Sequence, residues 1–257
     1  MHRVKELFTI KNMKKRVFIF IRFWVKLLYP VTSVSGKDNL PDGPTVVVGN
    51  HAQMNAPIAC QLYFPGKFKI WTAGVMMNLK EVPAYAYRDF WSAKPAYIRW
   101  FYKGLSYIVA PISVCIFNSA DCIPIYHDSR VISTFRETVS ALRNGERIII
   151  FPEHYVPYNN IVWEFQDKFV DIAHMYYRKY KEELSFVPMY VAPKLKTLYL
   201  GQAIKYNSEA AIEDERKRIS EYLMNEITKI ARGLPEHTVV PYPNISKSDY
   251  PSNKTAE

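Results

Sequence analysis

Apolar and polar residues follow one another along the chain in segments that predict strands and helices by turns. Short apolar runs rich in β-branched residues predict buried strands at residues 45–49, 147–151 and 186–191. Apolar residues at helical spacing predict helices at 131–142 and 209–232. Because strands and helices alternate, we predict an α/β fold in which a mixed, mostly parallel sheet is flanked by helices.

The N-terminal segment shows a different pattern, in which bulky apolar residues are interrupted by basic ones. The longest uncharged run, Val17 to Ile21, is far shorter than the roughly 20 apolar residues that span a bilayer. Arg22 and Lys26 share one face of a helix that Pro30 ends, and Phe, Trp and Leu side chains lie opposite. This pattern is typical of a helix lying in the plane of an anionic lipid surface. A core helix with one charged edge is the alternative.

The charge of the protein is concentrated in the same segment. Of a net charge of +10, residues 1–30 supply +7, so the rest of the chain carries only +3. We therefore predict three parts: a basic amphipathic helical arm at residues 1–35, an α/β domain at 36–243, and a polar flexible tail at 244–257. The predicted partner of the arm is a membrane lipid surface, which places the protein peripherally on the cytoplasmic face of a membrane.

Aromatic and basic residues are interleaved between residues 75 and 110. Such a stretch can stack on single-stranded nucleic acid, form an apolar groove and rim at a lipid interface, or pack as helices on a sheet. The basic arm favours lipid. We expect no nucleic-acid partner, since the chain outside the arm lacks the charge for a continuous basic face.

Titratable residues stand at the ends of two predicted strands. Asn50 and His51 follow the strand at 45–49, and Pro152, Glu153 and His154 come at the end of the strand at 147–151. Ligands in open α/β sheets are usually met at strand ends. A histidine there has an ordinary pKa suited to a general base, although a histidine that only caps a turn is the simpler reading. The three cysteines have no metal-type spacing with histidine, and we expect neither a metal nor a cofactor.

Four short blocks in order resemble the glycerolipid (lysophospholipid) acyltransferase family, which includes 1-acylglycerol-3-phosphate acyltransferases. The family's Asn-His-x-x-x-x-Asp block, followed by proline, corresponds to residues 50–57, and its Phe-Pro-Glu-Gly-Thr-Arg block corresponds to 151–156. A strand with an early proline matches 187–190, and residues 123–127 stand where the family ends a strand with a basic residue. The resemblance covers roughly residues 40 to 195.

The resemblance implies acyl transfer from acyl-CoA or an acyl carrier protein, used as co-substrate, to a hydroxyl of a lipid or polyol. It implies that His51 is the general base and that Glu153 orders the site or binds the acceptor. Substrate-binding roles would fall to Asn50, Pro152 and His154 together with His127 and Arg130.

The sequence departs from the family at positions that matter chemically. Ala56 stands where the family has the aspartate that orients the histidine, and Asn55, one residue earlier, can offer a hydrogen bond to the ring but no charge. Asp128 could supply the missing carboxylate. Val156 stands where the family has an arginine, which argues against a standard lysophosphatidate acceptor. We therefore predict a divergent acyltransferase. The alternative is a catalytically impaired relative that binds lipid or acyl chains without turnover.

Overall fold

A computed structural model of the protein describes residues 16–91, 95–120, 122–126 and 128–255. The chain forms two compact units. The smaller unit contains Met1–Pro30 and Trp71–Thr134, and the larger unit contains Val31–Ile70 and Phe135–Glu257. Strand β3 and helix α5 each pass from one unit into the other; β3 spans Phe68–Ala73 and α5 spans Val131–Arg143.

The larger unit is built on a sheet. Its strands are β1 (Ser33–Ser35), β2 (Thr45–Gly49), the first half of β3, β5 (Arg147–Ile150), β8 (Ser185–Ala192), β9 (Thr197–Leu200) and β10 (Ile204–Lys205). They lie in the order β1-β9-β8-β2-β5-β3, with β10 antiparallel to β8. The central strands β8, β2, β5 and β3 are parallel, whereas β9 is antiparallel to β8. A separate antiparallel pair joins β6 (Glu153–Pro157) to β7 (Trp163–Phe165).

The core of the larger unit explains why its central strands form. Every residue of β2 is buried, as are the last three of β5, because a parallel strand is covered on both faces. The covering helices carry one apolar stripe each. They are α2 (Asn55–Tyr63), most of α5, α6 (Asp171–Tyr180) and α7 (Ile212–Gly233), with short 3-10 turns at Lys37–Asn39, Asp167–Val170, Pro193–Leu195 and Lys247–Asp249.

The smaller unit is mainly helical. It contains a helix over residues 16–28 (α1), a 3-10 turn at Gly74–Met77, α3 (Val82–Ala86), a π turn at Tyr87–Trp91, a 3-10 turn at Ala96–Ile98, α4 (Arg99–Ser119) and strand β4 (Cys122–Ile125), which is the neighbour of β3. Val82 and Ala86 form a small core with Ala110 of α4. Helix α4 is the one described helix that is long and apolar enough to cross a membrane.

The structure confirms the predicted fold class, a mixed and mostly parallel sheet flanked by helices. The predicted division into arm, domain and tail remains a prediction, and the compact units follow other borders. Within the predicted tail, Asn253 is fully buried, and Ser252 forms a β-bridge with Thr238 of the predicted domain. The membrane role of the arm also remains a prediction.

Candidate functional site

Asn50 fastens the end of β2 to its neighbour β8. Its buried side-chain amide donates to the carbonyl oxygen of Val191 at 3.1 Å and accepts from the Val191 N–H at 2.7 Å. The Asn50 side chain thus continues the hydrogen bonding between β2 and β8 beyond the point where the backbone of β2 leaves the sheet. Gly49 is needed just before it, because a Cβ there would meet the carbonyl oxygen of Met189 at 2.8 Å. The strand end that carries His51 is therefore fixed in position.

The turn after His51 has an uncommon backbone. Ala52 and Gln53 both have positive φ angles, 44° and 56°. Each such residue costs on the order of 1–3 kcal/mol unless its surroundings hold it in place. Here the Gln53 amide donates to the carbonyl of Pro243 at 3.2 Å and to the Tyr250 hydroxyl at 2.9 Å. Strain of this kind, maintained by side-chain hydrogen bonds, is concentrated in proteins at functional sites.

The His51 ring is half-buried between aromatic side chains. It meets Phe151 edge to face at 5.4 Å between ring centroids and Tyr242 at 5.8 Å. Nδ1 is enclosed and has no hydrogen-bond partner. Burial lowers the pKa of His51 below its ordinary 6.5, and main-chain groups of Gln53 and His51 oppose this only in part. The imidazole is therefore neutral at pH 7.

The position that the resemblance assigns to an orienting carboxylate is apolar. Ala56 is fully buried. The side-chain amide of Asn55 donates to the Ala52 carbonyl at 2.9 Å, and it does not reach Nδ1 of His51. Asp128, in the smaller unit, forms an ion pair with Arg130 at 2.7 Å. No described group thus takes the proton of Nδ1, and an imidazolium at this place would lack a counter-charge.

Glu153 joins the ends of two strands through their main chains. Its carboxylate is 3% exposed; Oε2 accepts from the His51 N–H at 2.5 Å and Oε1 from the Trp163 N–H at 2.9 Å. Burial raises the pKa of Glu153 to about 7, against the lowering effect of these two hydrogen bonds. Because β2 and β5 are neighbouring parallel strands, their ends meet, and Glu153 holds the His51 backbone rather than its ring.

The other predicted site residues have different surroundings. Pro152 is buried and its carbonyl accepts from Gln166, while His154 is exposed. Arg130 lies in the smaller unit, where its guanidinium stacks 3.9 Å above the Tyr126 ring. His127 lies outside the described residues. The binding roles of these residues remain predictions.

The C-terminal segment contributes residues to the site that the sequence did not suggest. Tyr242 packs on the His51 ring and on Tyr155, and Tyr250 holds Gln53. A signal was present: Pro241 and Pro243 flank Tyr242, and such a segment has little backbone freedom to lose on folding. In the part of the chain that the structure describes, no group of three His, Cys, Asp or Glu side chains could hold a metal ion.

A neutral, half-buried histidine at the joined ends of two parallel strands can accept a proton from a substrate hydroxyl. Among solved structures, this chain is similar to the 1-acyl-sn-glycerophosphate (LPA) acyltransferase PlsC from Thermotoga maritima. The identity is 16% and the TM-score 0.47, over 89% of this chain and 82% of that one. No family model and no curated protein matches the sequence. A likeness this distant transfers no residue roles to this chain.

Proposed function

We propose that the protein is an acyltransferase in which His51 acts as general base. The observation that carries the proposal is the meeting of two sequence blocks about a hundred residues apart: Glu153, after β5, binds the backbone of His51, after β2, at 2.5 Å. A proton acceptor is thereby held on a strained, well-anchored turn at the end of a parallel sheet, where α/β enzymes bind their ligands.

The proposed reaction moves an acyl group from a thioester, either acyl-CoA or an acyl carrier protein, to a hydroxyl. His51 takes the proton of the acceptor hydroxyl while that oxygen attacks the thioester carbonyl carbon. The carbon–sulfur bond then breaks, and the proton on His51 passes to the departing thiolate. Because burial lowers the pKa of His51, the base form persists below pH 6.5. The unpartnered Nδ1 makes the intermediate imidazolium costly, and the reaction correspondingly slow.

The proposed acceptor is a lipid or polyol other than a standard lysophosphatidate. Val156 stands in the block where the resemblance expects an arginine, and its apolar side chain is exposed. The proposed place of action is the cytoplasmic face of a membrane, with the protein bound peripherally. Arg16, Arg22 and Lys26 on α1 suit the anionic lipids of that leaflet.

A second candidate function is lipid or acyl-chain binding without turnover. It is favoured by the same Nδ1 without a partner and by Ala56, because loss of the orienting carboxylate of a histidine base costs about 10⁴ in rate. The two candidates share the lipid ligand and differ in whether a thioester is consumed.

Release of free thiol from long-chain acyl-CoA and acyl carrier protein, with a panel of lipid and polyol acceptors, separates the two candidates. The proposal expects acyl transfer that is lost in His51→Ala and retained in His174→Ala, which removes a half-buried histidine of α6 that contacts the Tyr206 hydroxyl. Mass spectrometry of co-purified lipids identifies the acceptor class. Retained acyl chains without any His51-dependent transfer would establish the second candidate instead.

A further inference from the structure

Helix α4 is attached to the protein by one face only. Ser106, Ala110 and Ser113 are its buried residues, and they recur at the spacing of a single helical face. Ala110 packs on Val82 and Ala86 of α3. The small side chains let the two helices approach closely, so this face is packed within the smaller unit.

The opposite face of α4 is apolar and exposed. We call this face the α4 band; it consists of Trp100, Phe101, Tyr107, Ile108 and Ile112. Trp100 is 75% exposed and Ile108 is 67% exposed. The band runs about 18 Å along the helix, since each residue adds about 1.5 Å. Contiguous apolar surface on this scale marks a place where a soluble protein meets a partner or a membrane.

The charges around the α4 band identify the partner. Helix α4 carries Arg99 and Lys103 and no acidic residue. Helix α1, in the same unit, carries three basic residues between 16 and 28 and no acidic residue, and its Phe, Trp and Leu side chains are exposed as well. Basic residues beside exposed aromatic and aliphatic ones match anionic headgroups above an apolar phase. An acidic protein surface would match the basic residues but would not account for the exposed apolar side chains of the α4 band.

We infer that the α4 band is a second membrane-docking element, which lies in the interface of an anionic bilayer together with α1. Helix α4 docks in the plane and does not span, because its small-residue face is already packed on α3. Pro111 supports the same depth, since it leaves the Tyr107 carbonyl without its helical N–H partner and interfacial water can supply one. The inference rests on the membrane attachment proposed above and is independent of acyl transfer.

Vesicle flotation of the full-length protein tests the inference. The vesicles are pure phosphatidylcholine or an equimolar mixture with phosphatidylglycerol. Ile108→Ser/Ile112→Ser should weaken binding to the mixed vesicles by at least about tenfold, from the apolar burial that two isoleucines lose. Ile132→Ser, which changes an exposed isoleucine of α5, is the matched control and should bind like wild type.

Fluorescence quenching by brominated lipids reports depth. In a Trp24→Phe background, shallow bromine labels should quench a component that disappears in Trp100→Phe. Vesicle binding that is unchanged in the double serine variant, or the absence of a Trp100 component, would overturn the inference while leaving attachment through α1 intact. A second copy of the chain is the other partner that could cover the α4 band, and sedimentation in detergent-free buffer measures whether the protein is a dimer. A dimer that the α4 substitutions dissociate, with unchanged vesicle binding, would make the band an interface between copies. None of these readouts depends on turnover, so failure of the proposed reaction is recognised separately in the thiol-release assay.

Discussion

Replacing Glu153 by glutamine removes a charge from the most enclosed acidic group of the candidate site while keeping its shape. Both carboxylate oxygens accept main-chain N–H groups, from His51 at 2.5 Å and from Trp163 at 2.9 Å. Glutamine offers only one carbonyl oxygen, and its NH₂ group faces the other N–H as donor against donor. Relative to the ionised carboxylate, one buried N–H thus loses its acceptor, whereas the neutral carboxyl resembles glutamine in offering a single carbonyl oxygen.

The same substitution removes a pH dependence of stability. Burial raises the pKa of Glu153 from 4.5 to about 7, so the folded protein holds this proton more tightly than the unfolded chain does. The stabilisation is therefore complete below pH 4.5 and is lost as the pH rises through about 7. At about 1.4 kcal/mol per pKa unit, the loss amounts to about 3 kcal/mol.

Denaturant unfolding followed by circular dichroism, at several pH values on both sides of the Glu153 pKa, measures this effect. The free energy of unfolding of wild type minus that of Glu153→Gln should fall by about 3 kcal/mol across the range, because other titrating groups cancel in the difference. Val156→Ala, at an exposed position of the same strand without a titrating group, should give a difference that stays constant. A constant difference for Glu153→Gln as well would refute the assignment of a proton to the buried carboxyl.

Substitutions at three further positions test the surroundings of His51. Asn50→Ala leaves the Val191 N–H and carbonyl without partners and should lower the free energy of unfolding by about 2–5 kcal/mol; a loss below 1 kcal/mol in denaturant titrations would contradict the role of Asn50 as a strand anchor. Tyr242→Ala should hydrate the His51 ring and raise its pKa toward 6.5 in NMR titrations, whereas Tyr242→Phe should keep the wild-type value; identical titrations for all three proteins would argue against burial as the cause. Ala56→Asp should give Nδ1 an acceptor, raise the His51 pKa and increase acyl transfer by up to about 10⁴-fold, with folding verified by circular dichroism; an unchanged His51 pKa would show that the aspartate does not reach the ring.

The sequence predicted those parts of the fold in which buried residues produce a regular apolar pattern along the chain. Strands β2, β5 and β8 are continuous apolar runs, and α5 and α7 carry apolar residues at helical spacing, so their type followed directly. Helices remained one of three alternatives for residues 75–110, which include the first half of α4, because the exposed face of α4 is apolar too and weakens the alternation that marks an amphipathic helix. Short edge strands such as β10, with two residues, carry too few positions for a period.

The candidate site was predictable up to its strand ends and no further. Asn50, His51 and Glu153 stand where apolar runs stop, and the parallel order of β2 and β5 brings them together. The sequence could not show that Glu153 accepts from the main-chain N–H groups of His51 and Trp163, because a main-chain partner is not marked by any residue type. It also could not foresee Tyr242, whose contact with His51 joins positions 191 residues apart in the chain.

The hydrogen bond from Gln53 to Tyr250 joins residues separated by 197 positions, and it has a consequence for how the protein is made. Contacts at such separation form late, since the chain between them must first be ordered. A ribosome-bound chain exposes β2 and its strained turn long before Tyr250 leaves the exit tunnel, so the turn after His51 lacks this hydrogen bond until Tyr250 has emerged. The ring of His51 therefore acquires its enclosure only after Tyr242 has emerged, and a chain cut short before Tyr242 lacks it.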